Sequence, residues 1–216
     1  MSTLYVIRHG QASFGAADYD NLTELGREQS RLLGAWLRGV DIDAVYTGPR
    51  RRHRDTTRLF LDAHGAVPES IEVAGLDEYP AEVIVRRALA GGEVPSDRKT
   101  FQDVFEQIMH GWVRGEHDHH PDVEPFGAFA GRVATALRRI MADAGRGRTI
   151  AAVTSAGPVS IALKMTLDLA DAVALRVSWV VANTAITEIK FREDEVTLVS
   201  FNGTPHLPER RLLTYR

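Results

Sequence analysis

Cysteine is absent from this sequence of 216 residues. Its absence excludes disulfide bonds, thiolate metal ligands and a cysteine nucleophile, and it is compatible with a reducing cytoplasm. Long apolar runs are also absent. No segment reaches the roughly 18 apolar residues of a membrane span, and residues 1–10 lack the apolar core of a secretory signal. We therefore expect a cytoplasmic protein.

An excess of charge of one sign is lacking as well. Lys and Arg number 26 and Asp and Glu number 29, so the formal net charge is -3. Such a chain has no general attraction for nucleic-acid phosphates or anionic lipid, so neither is an expected partner and any anion site must be local. The composition, 44% hydrophobic and 25% charged, is typical of a globular protein. No linker interrupts it, which favours a single domain over residues 1–216.

The first third of the chain alternates between short β-rich runs and amphipathic segments. We predict strands at 4–7, 44–46 and 71–73. Between them we predict a helix that Thr23 caps and that runs to Leu37, and a second helix at 51–63. Such βαβαβ alternation favours an α/β three-layer sandwich, in which helices cover both faces of a mostly parallel central sheet. Ligands of such sheets bind beyond the carboxyl ends of the strands.

The later segments fit the same architecture after one interruption. Residues 80–112 have a helical pattern, broken by Gly91, Gly92 and Pro95, with no strand partner, so we predict an inserted helical cap at about 80–122. A helix at 129–144, a strand at 149–153 and a helix with Pro158 in its first turn follow. Two runs at 185–191 and 196–201, joined by a charged turn, predict a closing hairpin.

The segment that ends the first strand carries the strongest chemical pattern. Arg8, His9, Gly10 and Gln11 put a fixed cation beside an imidazole at the edge of the sheet where ligands bind. A neutral imidazole can attack phosphorus, and a guanidinium can bind the phosphoryl oxygens in bidentate fashion. The alternative is a capping histidine beside a surface arginine.

Two further segments are candidates for the same chemistry. Arg50, Arg51, Arg52 and Arg54 cluster at the start of the second predicted helix, where an anion would relieve their repulsion. A solvated basic face is the alternative, although we expect at least one of them to point inward. Glu78, after the third strand, is placed to protonate a leaving oxygen, although this segment alone favours the alternative of a surface Asp–Glu pair.

Taken together, these segments resemble the histidine phosphatase superfamily, the group that includes cofactor-dependent phosphoglycerate mutases, acid phosphatases and fructose bisphosphatases. The resemblance covers nearly the whole chain. It extends over the segments 4–10, 22–26, 46–56, 183–189 and 201–207, in the family's order and spacing. It implies that Arg8 and Arg52 bind phosphate, that His9 is the nucleophile and that Glu78 is the proton donor.

One departure from the family is serious. The family normally carries a second histidine after the strand at 149–153, and Ala156 stands there in this sequence. Loss of one preorganised donor to a phosphoryl group typically costs on the order of a hundredfold to a thousandfold in rate. The Ser155 hydroxyl and the backbone N–H groups after Gly157 would compensate in part. We expect the substrate to contact this segment and the one after the first strand, at Gln11, Ser13, Ser155, Ala156 and Gly157.

The expected function is therefore hydrolysis of a small phosphomonoester through a phosphohistidine, and the missing histidine is a reason to expect a weak enzyme. A phosphoglycerate mutase and an inactive binder of phosphorylated ligands are the alternatives, and the substrate is not identified. No cofactor or metal is expected. A homodimer through apolar residues near the final hairpin is an open option.

The remaining histidines are assigned no part in the chemistry. The cluster from His117 to His120 could fold over the site or bind zinc, but a solvated loop is the favoured interpretation. We expect His53, His64 and His110 to be ordinary helix-surface or cap residues, and His206 to be structural.

Overall fold

In a computed structural model, residues 1–13, 20–65, 69–89, 98–193 and 195–215 are described. The strands of the described residues form one sheet. Their bounds are β1 Ser2–Arg8, β2 Ala44–Thr47, β3 Ser70–Glu72, β4 Thr149–Thr154, β5 Ile186–Arg192 and β6 Glu195–Gly203. Each predicted strand is therefore found, within two residues of its expected ends.

The sheet has the order β3-β2-β4-β1-β5-β6. The pairs β3–β2, β2–β4 and β4–β1 are parallel, whereas β5 is antiparallel to β1 and β6 to β5. The prediction of a mostly parallel sheet that closes with a hairpin is confirmed. Because β4 lies between β1 and β2, with Arg8 opposite Thr154 and Thr47 opposite Val153, the chain leaves all three strands at the same edge.

Helices cover both faces of this sheet, as predicted. Their bounds are α1 Glu24–Trp36, α2 Arg51–His64, α3 Ala81–Ala88, α4 Arg98–Val113, α5 Phe126–Ala144, α6 Ala156–Leu167 and α7 Asp171–Ser178. On one face Leu33 and Phe60 pack against Ile7, and on the other Phe129 packs with Val6. Alternate residues of β1 thus enter opposite cores, as the period of a strand requires.

The turn after β1 lies tightly against α1. The Thr23 hydroxyl caps α1 by accepting a hydrogen bond from Gly26 N at 3.0 Å. A Cβ built on Gly10 would lie 2.4 Å from the Gly26 carbonyl oxygen, so a side chain at this position would push the two segments apart. The lack of a side chain at Gly10 therefore fixes where His9 sits relative to α1.

The described residues between 80 and 122 form the helices α3 and α4 and no strand. Ile84, Met109 and Trp112 are buried, and the Trp112 ring lies 5.1 Å from that of Phe126 in α5. The interruption predicted at Gly91, Gly92 and Pro95 lies outside the described residues. Across the described ranges, no helix combines the length and apolar character that crossing a membrane requires.

Candidate active site

His9 immediately follows β1 and is 3% exposed. Its Nδ1 lies 2.7 Å from the carbonyl oxygen of Gly10. Because a carbonyl only accepts hydrogen bonds, Nδ1 carries the hydrogen and the lone pair is on Nε2. The backbone is held at both ends, since His9 N donates to Thr154 O at 2.8 Å and Asn183 Nδ2 donates to His9 O at 3.1 Å.

The surroundings of His9 keep the ring neutral. Burial lowers its pKa well below the ordinary value of 6.5, and the positive charges of Arg52 and Arg8 lower it further. The Gly10 carbonyl has a smaller effect in the opposite direction. The imidazole therefore keeps its lone pair at neutral pH and in mild acid.

Arg52, the second residue of α2, faces this ring and is 3% exposed. Its Nε donates to Nε2 of His9 at 3.1 Å, and its Nη1 forms an ion pair with Asp20 at 2.8 Å. The expectation that at least one arginine of the cluster points inward is confirmed by Arg52. Arg51 and Arg54 have more than half of their side chains exposed, as expected for residues of a solvated basic face.

Two residues that were not predicted as site residues, Thr56 and Asp20, contact Arg52. The Thr56 hydroxyl donates to Arg52 O at 2.7 Å and accepts from Gly10 N at 3.0 Å, so it ties α2 to the turn after β1. The Asp20 carboxylate accepts from Arg51 N at 2.8 Å as well as from Arg52. Thr56 could have been found by its spacing from Arg52, whereas Asp20 lies in a polar loop without a distinguishing pattern.

Arg8 is buried beside His9, close enough to lower the pKa of that histidine. Its Nη1 donates to two backbone carbonyls, Val181 O and, at 2.8 Å, Tyr215 O. This nitrogen therefore fixes the last described residues of the chain against the site.

Glu78 reaches the first turn of α6 from the loop after β3. Its Oε2 accepts a hydrogen bond from Gly157 N at 3.1 Å, and its Oε1 accepts from Tyr79 N at 3.1 Å. Burial raises the pKa of Glu78 above its ordinary value of 4.5, while these N–H groups and the charges of Arg52 and Arg50 act against the rise. A carboxyl group with a raised pKa in such a site can serve as a proton donor.

The segment after β4 lies beside the same arginine. Ser155 is 1% exposed, and its Oγ lies 3.5 Å from Nη2 of Arg52. Ala156 begins α6 with only a methyl group, and Gly157 leaves the space that the Glu78 carboxyl group occupies. His9, Arg52, Glu78 and Ser155 thus meet at the sheet edge that the topology defines.

Gln11 and Ser13 have contacts within the loop that follows β1. The Gln11 side-chain oxygen accepts from the Thr23 hydroxyl at 2.9 Å, and Ser13 N donates to Asn21 O at 2.8 Å. Their contacts with the substrate remain predictions.

The prediction that His53 is an ordinary helix-surface residue is wrong. His53 is fully buried, its ring centroid lies 5.6 Å from that of His9, and its Nε2 lies 2.7 Å from Ser155 Oγ. His64 is also buried, with Nε2 at 3.0 Å from Val40 O. His206 is buried and pairs with the Thr184 hydroxyl at 2.9 Å, which fits the expected structural role.

The cluster from His117 to His120 forms a turn after α4. The ring centroids of His119 and His120 lie 4.0 Å apart with the rings tilted by 39°, and His120 N donates to His117 O at 3.1 Å. In the parts of the chain that the structure describes, no three His, Asp or Glu side chains are grouped to hold a metal ion.

Known proteins share this sequence pattern and fold. The sequence model of the histidine phosphatase superfamily (branch 1) matches residues 4–204. A curated protein of Hydrogenobacter thermophilus named "Putative phosphoserine phosphatase 2" is 26% identical over 217 residues, covering 95% of this chain and 98% of that protein.

Solved structures agree on the fold. A phosphoserine phosphatase mutant from Entamoeba histolytica, in complex with phosphoserine, has a TM-score of 0.69 at 21% identity, over 96% of this chain and 100% of that chain. A phosphoglycerate mutase from Bacillus anthracis has a TM-score of 0.69 at 18% identity, over 95% of each chain.

The family match spans most of the sequence, so the chain belongs to the histidine phosphatase superfamily. Within that superfamily it is a phosphomonoester hydrolase, that is, a phosphatase.

Proposed function

We propose that this phosphatase hydrolyses a small-molecule phosphomonoester through a phosphohistidine at Nε2 of His9. The state of His9 is the observation that carries the proposal. Its Nδ1 hydrogen is held by Gly10 O at 2.7 Å, and its Nε2 faces Nε of Arg52 at 3.1 Å. A neutral imidazole whose lone pair lies beside a fixed cation is suited to attack phosphorus within a phosphate that the same cation binds.

In the first step, the Nε2 lone pair forms an N–P bond while the bond from phosphorus to the ester oxygen breaks. Arg52 gives up its contact with Nε2 and binds phosphoryl oxygens, and Arg8 adds a second positive charge. Glu78 transfers its proton to the departing oxygen, which leaves as an alcohol. The Gly10 carbonyl stabilises the positive charge that the ring gains.

In the second step, water attacks the phosphorus while the Glu78 carboxylate takes a proton from it. The N–P bond breaks, inorganic phosphate leaves, and both His9 and Glu78 return to their starting states. The proposed cycle balances with these residues and water alone.

We propose that the non-phosphate part of the substrate faces the segment 80–122, acting as a cap. Tyr79 supports this, because its ring contacts Trp112 of α4 at 4.9 Å while its backbone N–H binds Glu78. The substrate class is a small phosphorylated molecule. Phosphoserine and a phosphoglycerate head the panel to be tested, because relatives carry those names.

A second candidate, an inactive binder of a phosphorylated ligand, is favoured by Ala156, which supplies no imidazole to the site. A binder has no need of both a nucleophile and a proton donor, so His9 and Glu78 argue against it. Saturable ligand binding with neither phosphohistidine nor hydrolysis over long incubation would establish the binder. Transfer of phosphate between carbons of a sugar acid, rather than to water, would establish a mutase.

Phosphate release from a panel of phosphomonoesters tests the proposal directly. We expect the wild type and the control Arg139→Ala, at an exposed residue of α5 outside the proposed cap, to release phosphate at equal rates, and His9→Ala to release almost none. Equal rates for His9→Ala and the wild type would remove His9 from the mechanism.

A further inference from the structure

A fully buried imidazole beside the site has no part in the reaction proposed so far. His53 follows Arg52 in α2, and its ring lies 5.6 Å from that of His9. Burial lowers the pKa of His53 well below 6.5, and the charges of Arg52, Arg50 and Arg54 lower it further, so the ring is neutral. A buried polar ring is normally retained only with hydrogen-bond partners. The Ser155 hydroxyl lies 2.7 Å from Nε2 of His53, and the Gly48 backbone raises the pKa of the ring against the effect of burial.

Ser155 occupies the N-cap position of α6 but does not use its hydroxyl as a cap. A serine at this position normally accepts a hydrogen bond from the second or third N–H of the helix. Here Gly157 N donates to Glu78, and Pro158 has no N–H to donate. The hydroxyl instead lies 2.7 Å from Nε2 of His53 and 3.5 Å from Nη2 of Arg52.

The chain leaves space for this arrangement. A Cβ built on Gly48, at the end of β2, would lie 2.3 Å from Nδ1 of His53. Any larger residue at position 48 would therefore push the imidazole off Ser155. On the other side, Thr57 holds the helix turn that carries His53, because its hydroxyl donates to His53 O at 2.9 Å.

A hydroxyl between an imidazole and a guanidinium can pass on a hydrogen bond. When Nε2 of His53 carries the hydrogen, it donates to Ser155 Oγ, which leaves the serine O–H free to donate to another acceptor. An oxygen of a phosphate bound by Arg52 would be such an acceptor, because Ser155 Oγ lies 3.5 Å from Nη2 of Arg52. A donor fixed before the reaction begins stabilises charge that develops on the phosphoryl oxygens.

We propose that His53 is a positioning residue, which orients the Ser155 hydroxyl so that it donates to a phosphoryl oxygen held by Arg52. The pair thereby supplies a hydrogen bond that Ala156 cannot make. This inference rests on the proposed function, because it assigns the donor a place in the phosphoryl transfer at His9.

A double-mutant cycle on kcat tests whether the two residues act as a unit. We expect His53→Ala and Ser155→Ala each to lower kcat by roughly tenfold to a hundredfold, with much smaller changes in KM, because the donor acts mainly on the transition state. The double variant should be no slower than the slower single variant. Losses that multiply in the double variant would overturn the proposal.

A conservative replacement separates positioning from packing. His53→Gln keeps an N–H donor near Ser155 and should recover most of the kcat that His53→Ala loses, whereas His53→Leu fills the space without a donor and should not. Thermal unfolding shows whether a variant has lost kcat because it no longer folds. If Gln and Leu are equally slow while both remain folded, the hydrogen bond is irrelevant and the proposal fails.

The small Ser155→Ala change keeps the test decisive if every His53 variant is unstable. A folded Ser155→Ala enzyme with the wild-type kcat would also overturn the proposal. Failure of the proposed function has a different outcome, because His9→Ala would then hydrolyse the panel as fast as the wild type. If only this inference fails, His9→Ala is still inactive, but Ser155→Ala has the kcat of the wild type.

Discussion

The Glu78 carboxyl group occupies space that only a glycine at position 157 leaves open. Its Oε2 lies 3.1 Å from Gly157 N, and a Cβ built on Gly157 would lie 2.0 Å from Oε1. The proposed proton donor therefore depends on a residue 79 positions further along the chain, at the start of a different helix.

Gly157→Ala should therefore lower kcat, because the methyl group displaces the Glu78 carboxyl group. We expect a loss approaching that of removing the acid, with the protein still folded. Gly131→Ala in α5 is the matched control, since a Cβ there meets nothing within 4 Å. It should leave kcat unchanged and stabilise the helix by about 0.5–1 kcal/mol. Unchanged kcat in Gly157→Ala would show that the position of Glu78 is not critical.

Glu78→Gln should slow the enzyme most with substrates whose leaving group is a poor one. General acid catalysis contributes on the order of a hundredfold to ten-thousandfold, and an alkyl phosphate needs it far more than an aryl phosphate with an acidic phenol. The comparison of kcat for these two substrate types measures the effect. Glu72→Gln, at an exposed carboxylate, is the control. Equal losses on both substrate types would contradict the assignment.

The pH dependence of kcat/KM should change with the same substitution. The acid works when protonated, so activity falls as pH rises through the pKa of Glu78, which burial raises above 4.5. The nucleophile works when neutral, so activity falls in acid only as pH drops through the pKa of His9, which lies well below 6.5. In Glu78→Gln the fall assigned to Glu78 should be missing, while the change due to ionisation of the substrate remains. A profile identical to that of the wild type would contradict the prediction.

Much of this fold could be predicted from the sequence, because apolar runs and helical periodicity report burial along a single element. All six strands and the cap of α1 by Thr23 were found in this way. The insertion of β4 between β1 and β2 follows from pairing across the chain, which no local pattern records. The short helix α7 was missed, since its sequence has only a weak apolar face.

The site residues that belong to a motif within one segment could be predicted. Those whose role depends on contacts between distant segments could not. His53 stands among arginines on a helix that otherwise has a solvated face, so its sequence neighbours predict exposure. Its burial follows instead from its contacts with Ser155, which follows β4, and Gly48, which follows β2. Asp20 was missed for a similar reason, because its partner Arg52 lies 32 residues away.

Arg52→Lys should lower kcat/KM by at least about a hundredfold although the charge is kept. The three guanidinium nitrogens of Arg52 reach His9, Asp20 and Ser155 separately, and one ammonium cannot replace this fork. Arg54→Lys, on the exposed side of the same helix, is the matched control and should behave as the wild type. Similar kinetics for both variants would mean that Arg52 acts only through its charge.

Ala156→His should raise kcat if the absent imidazole limits the rate. The gain should be larger in a Ser155→Ala background, because there the new ring replaces a donor that has been lost rather than adding to one. The comparison uses initial rates of the wild type, Ala156→His, Ser155→Ala and the double variant. No gain in either background would contradict the placement of position 156 beside the phosphoryl group.

The most direct test of the account is to trap the phosphorylated enzyme. Wild-type protein is mixed with a phosphomonoester that it hydrolyses, quenched in alkali within one turnover, and digested for mass spectrometry. We expect an acid-labile phosphoryl group on the peptide that contains His9, and none in His9→Ala. Hydrolysis by the wild type without any such adduct, at a rate that His9→Ala matches, would contradict the account.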